Sequence, residues 1–449
     1  MATTTLIDRP ATIAPEPGPG PLRRVVAAGL TAGLLGALLL TLVVLAGAGE
    51  HAITGSALLA FGFGWALLAV LSIRRTRAPQ RWALVPAVLM AGTGAWLLTS
   101  APGDGVLSAA GWVWPPAVLA LAAWMGVRAR QVRPGRWLLY PVVAVLAAAA
   151  VGGGYATVTA PDNPMPGVSY DVGGHRLHLN CTGSGGPTVV LENGLGETSP
   201  LWSRITATVG RDTRVCAYDR AGQGWSGDAP QPQDGAQIAA DLHTLLARAH
   251  EPGPYVLVGH STGGVYALAY AARYPAEVAG MVLLDSAGPN QFTALPDYPR
   301  QYAAMRRLTA LAPSLARLGV TRLLPASASS GLPAREAAQV RDFATSPRGL
   351  RNIRDELSVY PVVFVQAGAL TGLAGRPLVV VTAAENQLGT AGWAAAQDRL
   401  AALSTISSHR LADTTHVGLL DDPRGAAASV RAITDVVRSV RTGTPLPAR

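Results

Sequence analysis

The sequence predicts a chain in two parts: an all-α membrane region of about five helices, then an α/β domain on a mainly parallel sheet. Three observations carry this. Of 449 residues, 49% are hydrophobic and only 14% charged, a balance unusual for a water-soluble chain. The surplus is concentrated before residue 160, in runs long enough to cross a bilayer. Beyond that point, apolar runs of strand length alternate with stretches of helix length.

Residues 1–21 are rich in Pro, Thr and Gly and lack the apolar periodicity needed to bury a core, so they read as a disordered tail. Residues 22–158 form the expected transmembrane domain. Its spans fall at about 25–48, 53–73, 82–100, 106–127 and 137–157, each free of Asp, Glu and Arg. Pro115 and Pro116 fall inside the fourth span, which a membrane helix tolerates better than a soluble one. Gly29 and Gly33 are spaced for close helix packing. With no ionisable residue inside the spans, anchoring or partner binding is the expectation rather than transport. A signal peptide would also begin with an apolar run, but the length of this one and the four runs behind it argue for retained spans.

Arginine placement gives direction. Arg23 and Arg24 precede the first span. Arg74, Arg75, Arg77 and Arg81 lie between the second and third, and Arg128, Arg130, Arg133 and Arg136 between the fourth and fifth. The alternate connections hold Glu50, His51 and Asp104 and no arginine. By the positive-inside rule the N-terminus is cytoplasmic, and five spans put everything after residue 160 outside. Trp82, Trp112, Trp114 and Trp137 fall near span ends, as interfacial anchors would. The formal net charge of +9 follows the same division: eleven arginines against four acids before residue 160, and twenty-five against twenty-three after it. The excess therefore belongs to membrane topology, and no nucleic-acid partner is expected.

A short proline-punctuated linker, 159–167, is too stiff for a long reach and keeps the next domain near the bilayer. That domain covers 168–441, with a C-terminal tail at 442–449. Strands are expected near 168–172, 175–181, 187–192, 213–218, 254–259, 280–285, 376–382 and 405–411, with helices between most of them and a last helix over about 423–440.

The stretch from Tyr255 to Gly264 organises the domain. A buried-strand pattern runs through Gly259-His260-Ser261-Thr262-Gly263 into a helix-like segment ending near Arg273. This is a nucleophile elbow: a serine on a sharp strand-to-helix turn, with Gly259 and Gly263 where side chains would collide. Ser261 is the expected nucleophile. A hydroxyl is a poor nucleophile at neutral pH, so it needs a base and a group that orients the base.

Four segments together, Pro187-Thr188-Val189-Val190-Leu191-Glu192-Asn193-Gly194, Tyr218-Asp219-Arg220-Ala221-Gly222-Gln223-Gly224-Trp225-Ser226, the elbow, and Gly280-Met281-Val282-Leu283-Leu284-Asp285-Ser286, resemble the α/β-hydrolase fold superfamily. The resemblance covers about 168–441 and implies an eight-stranded, mainly parallel sheet with a helical lid, here about 288–374, over Ser261. Of eight histidines, His416 resembles the superfamily's base in position, following the last strand. The resemblance implies an acid at Asp285, after the strand that follows the elbow, or alternatively at Glu385, one strand later. It implies oxyanion donors at the backbone N–H groups of Leu195, after the Asn193-Gly194 turn, and of Thr262. Asn193 stands where many members carry His. His260 is expected to pack, with its ring away from Ser261. Asp219, Arg220 and Ser226 are expected to shape the neighbouring loop.

In this fold the second and fourth strands are neighbours, which makes Cys181 and Cys216 a possible disulfide, with two buried thiols as the alternative. No His, Cys and carboxylate cluster has metal-ligand spacing, so neither metal nor cofactor is expected. The implied function is a membrane-anchored extracytoplasmic serine hydrolase acting on a small-molecule or lipid-like carboxylic ester. An amidase or peptidase, or an acyltransferase, would use the same residues, and a non-catalytic binding or sensing module is the alternative of another class. Superfamily dehalogenases and epoxide hydrolases attack with Asp, which the serine here argues against.

Overall fold

The computed structural model describes residues 20–132, 135–161, 163–323 and 331–447. The expected tail up to residue 19, together with Arg133, Asp162 and the last two residues, lies outside the described residues. The chain forms two compact units. Of the described residues, one comprises those from 20 to 43, 54–102 and those within 113–151; the other comprises 44–53, 103–112 and those from 152 onward.

The N-terminal region contains α1 (Gly20–Leu39), extended by a π turn over Leu40–Val44, α2 (Glu50–Arg75), α3 (Leu84–Ser100), α4 (Asp104–Ala110), α5 (Trp114–Gln131) and α6 (Arg136–Val158). Four of these are long and apolar enough to cross a membrane, or five if α4 and α5 count as one broken span. That break is where the sequence suggests a single span over 106–127. Pro115 and Pro116 fall in the first turn of α5, which begins at Trp114; a first turn has no intrahelical partner for its N–H groups, so proline costs nothing there and a helix starts readily. Gly29 approaches α2 closely enough that an added Cβ would meet the Gly64 carbonyl oxygen at 2.8 Å, which is the expected small-residue contact. Trp82 departs from the expectation of an interfacial anchor, since it packs inward between Trp65 and Trp124 at ring separations of 5.8 and 6.1 Å. Leu35, Val43, Val88 and Val145 are exposed, an apolar outer surface of the kind that lipid solvates.

The second unit is built on an eight-stranded sheet: β1 (Val168–Asp171), β2 (Arg176–Thr182), β3 (Val189–Glu192), β4 (Val215–Asp219), β5 (Tyr255–His260), β6 (Val278–Leu284), β7 (Leu378–Ala383) and β8 (Ser407–Ala412). The spatial order is β1-β2-β4-β3-β5-β6-β7-β8. Pairs β1/β2 and β2/β4 are antiparallel and the rest parallel. Strands β3 to β7 are apolar almost throughout because helices cover both faces, as parallel sheets require.

The helices are α7 (Ser203–Val209), α8 (Gly235–Arg248), α9 (Gly263–Arg273), α10 (Gln291–Ala294), α11 (Tyr298–Arg317), α12 (Ala334–Thr345), α13 (Pro347–Ala367), α14 (Ala384–Gly389), α15 (Trp393–Ala401), α16 (Gly418–Asp421) and α17 (Pro423–Thr442). On one face of β5, Leu257 packs in a core with Leu242, Leu268, Tyr360 and Phe364. On the other, Val256 and Val258 share a core with Ile205, Ile433 and Val436. Each such side chain, fully withdrawn from water, contributes about 1.5–3 kcal/mol. Asp234 caps α8 with a reciprocal Gln237 bond, and Asp422 caps α17. Helices α10 to α13 fill the interval between β6 and β7 and form a cap.

Cys181 and Cys216 are directly opposed on β2 and β4 and are joined by a disulfide bond. Among the described residues they are also the only thiols of a metal-sized group, with Glu251, but each sulfur is committed to the other, and Glu251 pairs with Arg214 at 2.6 Å. Protein isolated without reductant and then denatured should titrate no free thiol, and should yield both after reduction. Equal counts in the two samples would rule the bond out.

Candidate active site

Strand β5 delivers Ser261 at its carboxyl end, in the centre of the sheet, where open α/β sheets place their ligands. Its φ is +54°, a left-handed conformation that costs a non-glycine residue of order 1–3 kcal/mol. The surroundings hold it there. Ser261 N–H donates to the Leu284 carbonyl at 3.0 Å, and the Ser261 carbonyl accepts from Ala287 N–H at 3.0 Å and Ser286 Oγ at 3.1 Å. A Cβ on Gly259 would run into Gly264, and one on Gly263 into the Glu192 carbonyl. Strand and helix pass too closely for any other residue at either place.

Asp285 directly follows strand β6, again with positive φ, +43°. Its side chain is fully buried and faces four donors or partners. The ring Nδ1 of His416 lies 2.6 Å from Oδ2, Asn386 Nδ2 donates to the same oxygen at 2.6 Å, Trp393 Nε1 donates to Oδ1 at 2.7 Å, and Ala383 N–H donates to Oδ1 at 3.2 Å. Glu385 sits differently, accepting from the backbone N–H of His416 at 2.7 Å. The ring therefore faces Asp285, while Glu385 fastens the loop that carries the ring.

The turn after β3 is tied down from behind. Asn193 uses its side chain fully, donating to the Tyr218 carbonyl at 2.9 Å and accepting from Trp202 Nε1 at 2.8 Å, which makes it a strut where a histidine resembling the superfamily pattern is missing. Arg220 donates to the carbonyls of Asn193 at 2.6 Å and Gly194 at 3.3 Å. Because N–H and C=O point in opposite directions across a trans peptide, holding the Gly194 carbonyl fixes the direction of the Leu195 N–H. Arg220 is itself buried against Glu356 at 2.9 Å and Glu192 at 3.6 Å, with its guanidinium 4.2 Å from the Tyr266 ring centroid. Burial pushes the Glu192 carboxyl up to about 7, against the opposing pull of Arg220 and the Tyr218 hydroxyl. Asp219 accepts from Ser199 N–H at 2.7 Å and pairs with His178 at 2.8 Å, and Ser226 bonds the His178 backbone.

Helix α13 lies over these loops. Arg348, Asn352, Glu356 and Tyr360, four residues apart, form one stripe. Arg348 Nη1 donates to the Gly224 carbonyl at 2.9 Å and Asn352 Nδ2 to the Ala221 carbonyl at 2.9 Å. Glu356 accepts from Arg220 and Gln223, and Tyr360 OH donates to Thr262 Oγ1 at 3.2 Å. Beside it Phe292, Tyr298, Tyr302 and Phe364 form an aromatic cluster.

Several side chains here escape a reading of the sequence. Asn386 and Trp393 reach Asp285 across about a hundred residues, and Glu197 reaches His260 across sixty-three; no local motif marks them. Three further histidines are paired with carboxylates elsewhere, His175 with Asp241, His243 with Glu277 and His409 with Asp398.

Comparison with known proteins agrees with this architecture. Residues 187–324 match the family described as alpha/beta hydrolase fold. An uncharacterised protein of Bacillus subtilis, YqjL, is 34% identical over 132 residues, 29% of this chain and 52% of its own. The 2-hydroxymuconate semialdehyde hydrolase of Pseudomonas sp. is 32% identical over 159 residues, 34% of this chain and 56% of its own. This chain thus spans little more than half the length of either relative. The solved structure of a candidate lipase from Acinetobacter baumannii AYE aligns with a TM-score of 0.50 and 19% identity, over 66% of this chain and 96% of that one. The sheet order, the elbow and these matches together identify the second unit as an α/β-hydrolase fold, preceded in the same chain by four to five candidate membrane helices.

Proposed function

We propose that this protein is a membrane-anchored serine hydrolase that cleaves a carboxylic ester. The observation that carries the reading is the fully buried Asp285 carboxylate on Nδ1 of His416, with a serine held in a strained elbow at the end of the strand next to the one that precedes Asp285. In this mechanism Ser261 Oγ attacks the ester carbonyl carbon while His416 Nε2 takes its proton. The N–H groups of Leu195 and Thr262 stabilise the oxyanion, each contributing on the order of 10²–10³ in rate. As the carbonyl reforms, the C–O bond to the alcohol breaks and His416 returns the proton to the leaving oxygen. Water, deprotonated by the same histidine, then releases the acid from the acyl-enzyme. Asp285 holds the ring so that Nε2 is free and stabilises the imidazolium.

The hydrolase among the relatives acts on another substrate and supports only the reaction class. For the outward orientation, the support is the arginine asymmetry together with the company kept by the arginine-free segments. Residues 44–53 and 103–112 group with the α/β domain, where Glu50 and Asp104 both pair with Arg317 of α11, at 2.5 and 2.7 Å, and Asp104 also with Arg351 of α13 at 2.6 Å. A disulfide suits an oxidising compartment.

The test is labelling with a fluorophosphonate, which bonds its phosphorus to the serine oxygen and expels fluoride. Wild type should label, and Ser261→Ala and His416→Ala should not. Asp285→Asn should slow labelling by roughly three to four orders of magnitude, and Glu385→Gln by less than about tenfold. An unlabelled wild type would defeat the enzyme reading in favour of a binding module; turnover of p-nitroanilides but not p-nitrophenyl esters would replace esterase with amidase.

Orientation is checked separately. A membrane-impermeant fluorophosphonate should label intact cells as well as lysed ones, and labelling only after lysis would reverse the topology.

A further inference from the structure

Glu197 and His260 sit between the two halves of the site, and neither has a part in the mechanism above. His260 precedes Ser261, and its side chain is fully buried. Its Nδ1 lies 2.6 Å from Glu197 Oε1, and its Nε2 lies 3.0 Å from the backbone carbonyl oxygen of His416. The other carboxylate oxygen of Glu197 accepts from Gly194 N–H at 2.5 Å. A carbonyl oxygen can only accept, so Nε2 carries a proton; a carboxylate can only accept, so Nδ1 carries one too. An imidazole with both protons is a cation, here paired with the carboxylate that faces it.

The titration behaviour agrees. Burial works against a charged His260, but the Glu197 carboxylate outweighs it and holds the imidazole above its ordinary value. Burial likewise raises Glu197, and the His260 charge and hydrogen bond pull it below the usual carboxylate range. The other titratable groups around this imidazole are His416, with its ring 4.5 Å away, and Asp285 beyond it.

We propose that Glu197 and His260 are positioning residues: a hydrogen-bonded chain from Gly194 N–H through Glu197 and His260 to the His416 carbonyl locks the oxyanion turn and the base loop into one register. This rests on the reading of Ser261, His416 and Leu195 given above. The chain ties the first half of the site, the turn after β3, to the last, the loop after β8, across the residue next to the nucleophile. Displacing either end separates the oxyanion donor from the proton acceptor, although neither Glu197 nor His260 touches the substrate.

The experiment measures p-nitrophenyl butyrate hydrolysis by the full-length protein in detergent, with rates normalised to active sites titrated by fluorophosphonate. Glu197→Ala cuts the chain and should lower kcat on the order of 10²-fold, as loss of one oxyanion donor does, with KM within about twofold. Glu197→Gln is isosteric: its amide oxygen still accepts from Gly194 N–H, and its NH₂ donates to a neutral Nδ1 whose Nε2–H still reaches the His416 carbonyl. It should therefore recover at least tenfold of that loss. His260→Gln, which cuts the chain at its other link, should mirror Glu197→Ala and serves if that variant does not fold. Unchanged kcat per titrated site in Glu197→Ala or His260→Gln, or equal losses in the Ala and Gln variants, overturns the proposal and leaves the nucleophile reading intact. A wild type that neither labels nor hydrolyses overturns both.

Discussion

The buried guanidinium of Arg220 is the interaction on which the site depends. It donates to the two carbonyls of the turn after β3, faces Glu192 at the end of β3, stacks on Tyr266 of α9 and pairs with Glu356 of the cap. Four separate elements thus converge on one planar cation, whose fork of donors suits several acceptors at once. Burial alone would discourage its charge, and the surrounding carboxylates, Glu356 first, more than restore it. Removing one partner from a buried pair costs about 3–5 kcal/mol because the other charge is stranded. The arrangement therefore resists piecemeal change.

Much of the α/β domain is legible in the sequence for a plain reason. Strands β3 to β7 are covered on both faces, so they appear as short apolar runs between glycine, proline and polar breaks, and the expected limits fall within a few residues of the observed ones. Ser261 is legible because the elbow needs glycine on both sides. His416 and Asp285 are legible only through resemblance, since each simply follows a strand. What the sequence conceals is contact at a distance: Asn386 and Trp393 on Asp285, Glu197 on His260, and the stripe of α13 on the loop after β4. These pairings depend on how the strands are ordered in space, which local patterning does not encode. Both Asp285 and Glu385 follow strands that end at the same edge of the sheet, and only the packed structure separates a ring contact from a backbone contact.

The candidate membrane helices show the opposite balance. Composition alone finds the helices, because a lipid-facing surface must be apolar whatever it packs against. Composition does not say which side chains turn inward. Trp82 has the position of an interfacial anchor but closes a cluster with Trp65 and Trp124. The fourth span shows the limit of hydropathy as a guide, since two prolines add little to the average and yet mark where a new helix starts.

The stripe on α13 has a consequence for how this protein can vary. Its four contacts recur every fourth residue, so they depend on the phase of the helix as much as on the residues themselves. One residue inserted between Asn352 and Glu356 would turn everything beyond it by about 100°, moving Glu356 away from Arg220 and Tyr360 away from Thr262 together. A change of length is therefore absorbed in the connections around α13, whereas the spacing inside the helix is fixed residue for residue by what its four side chains hold.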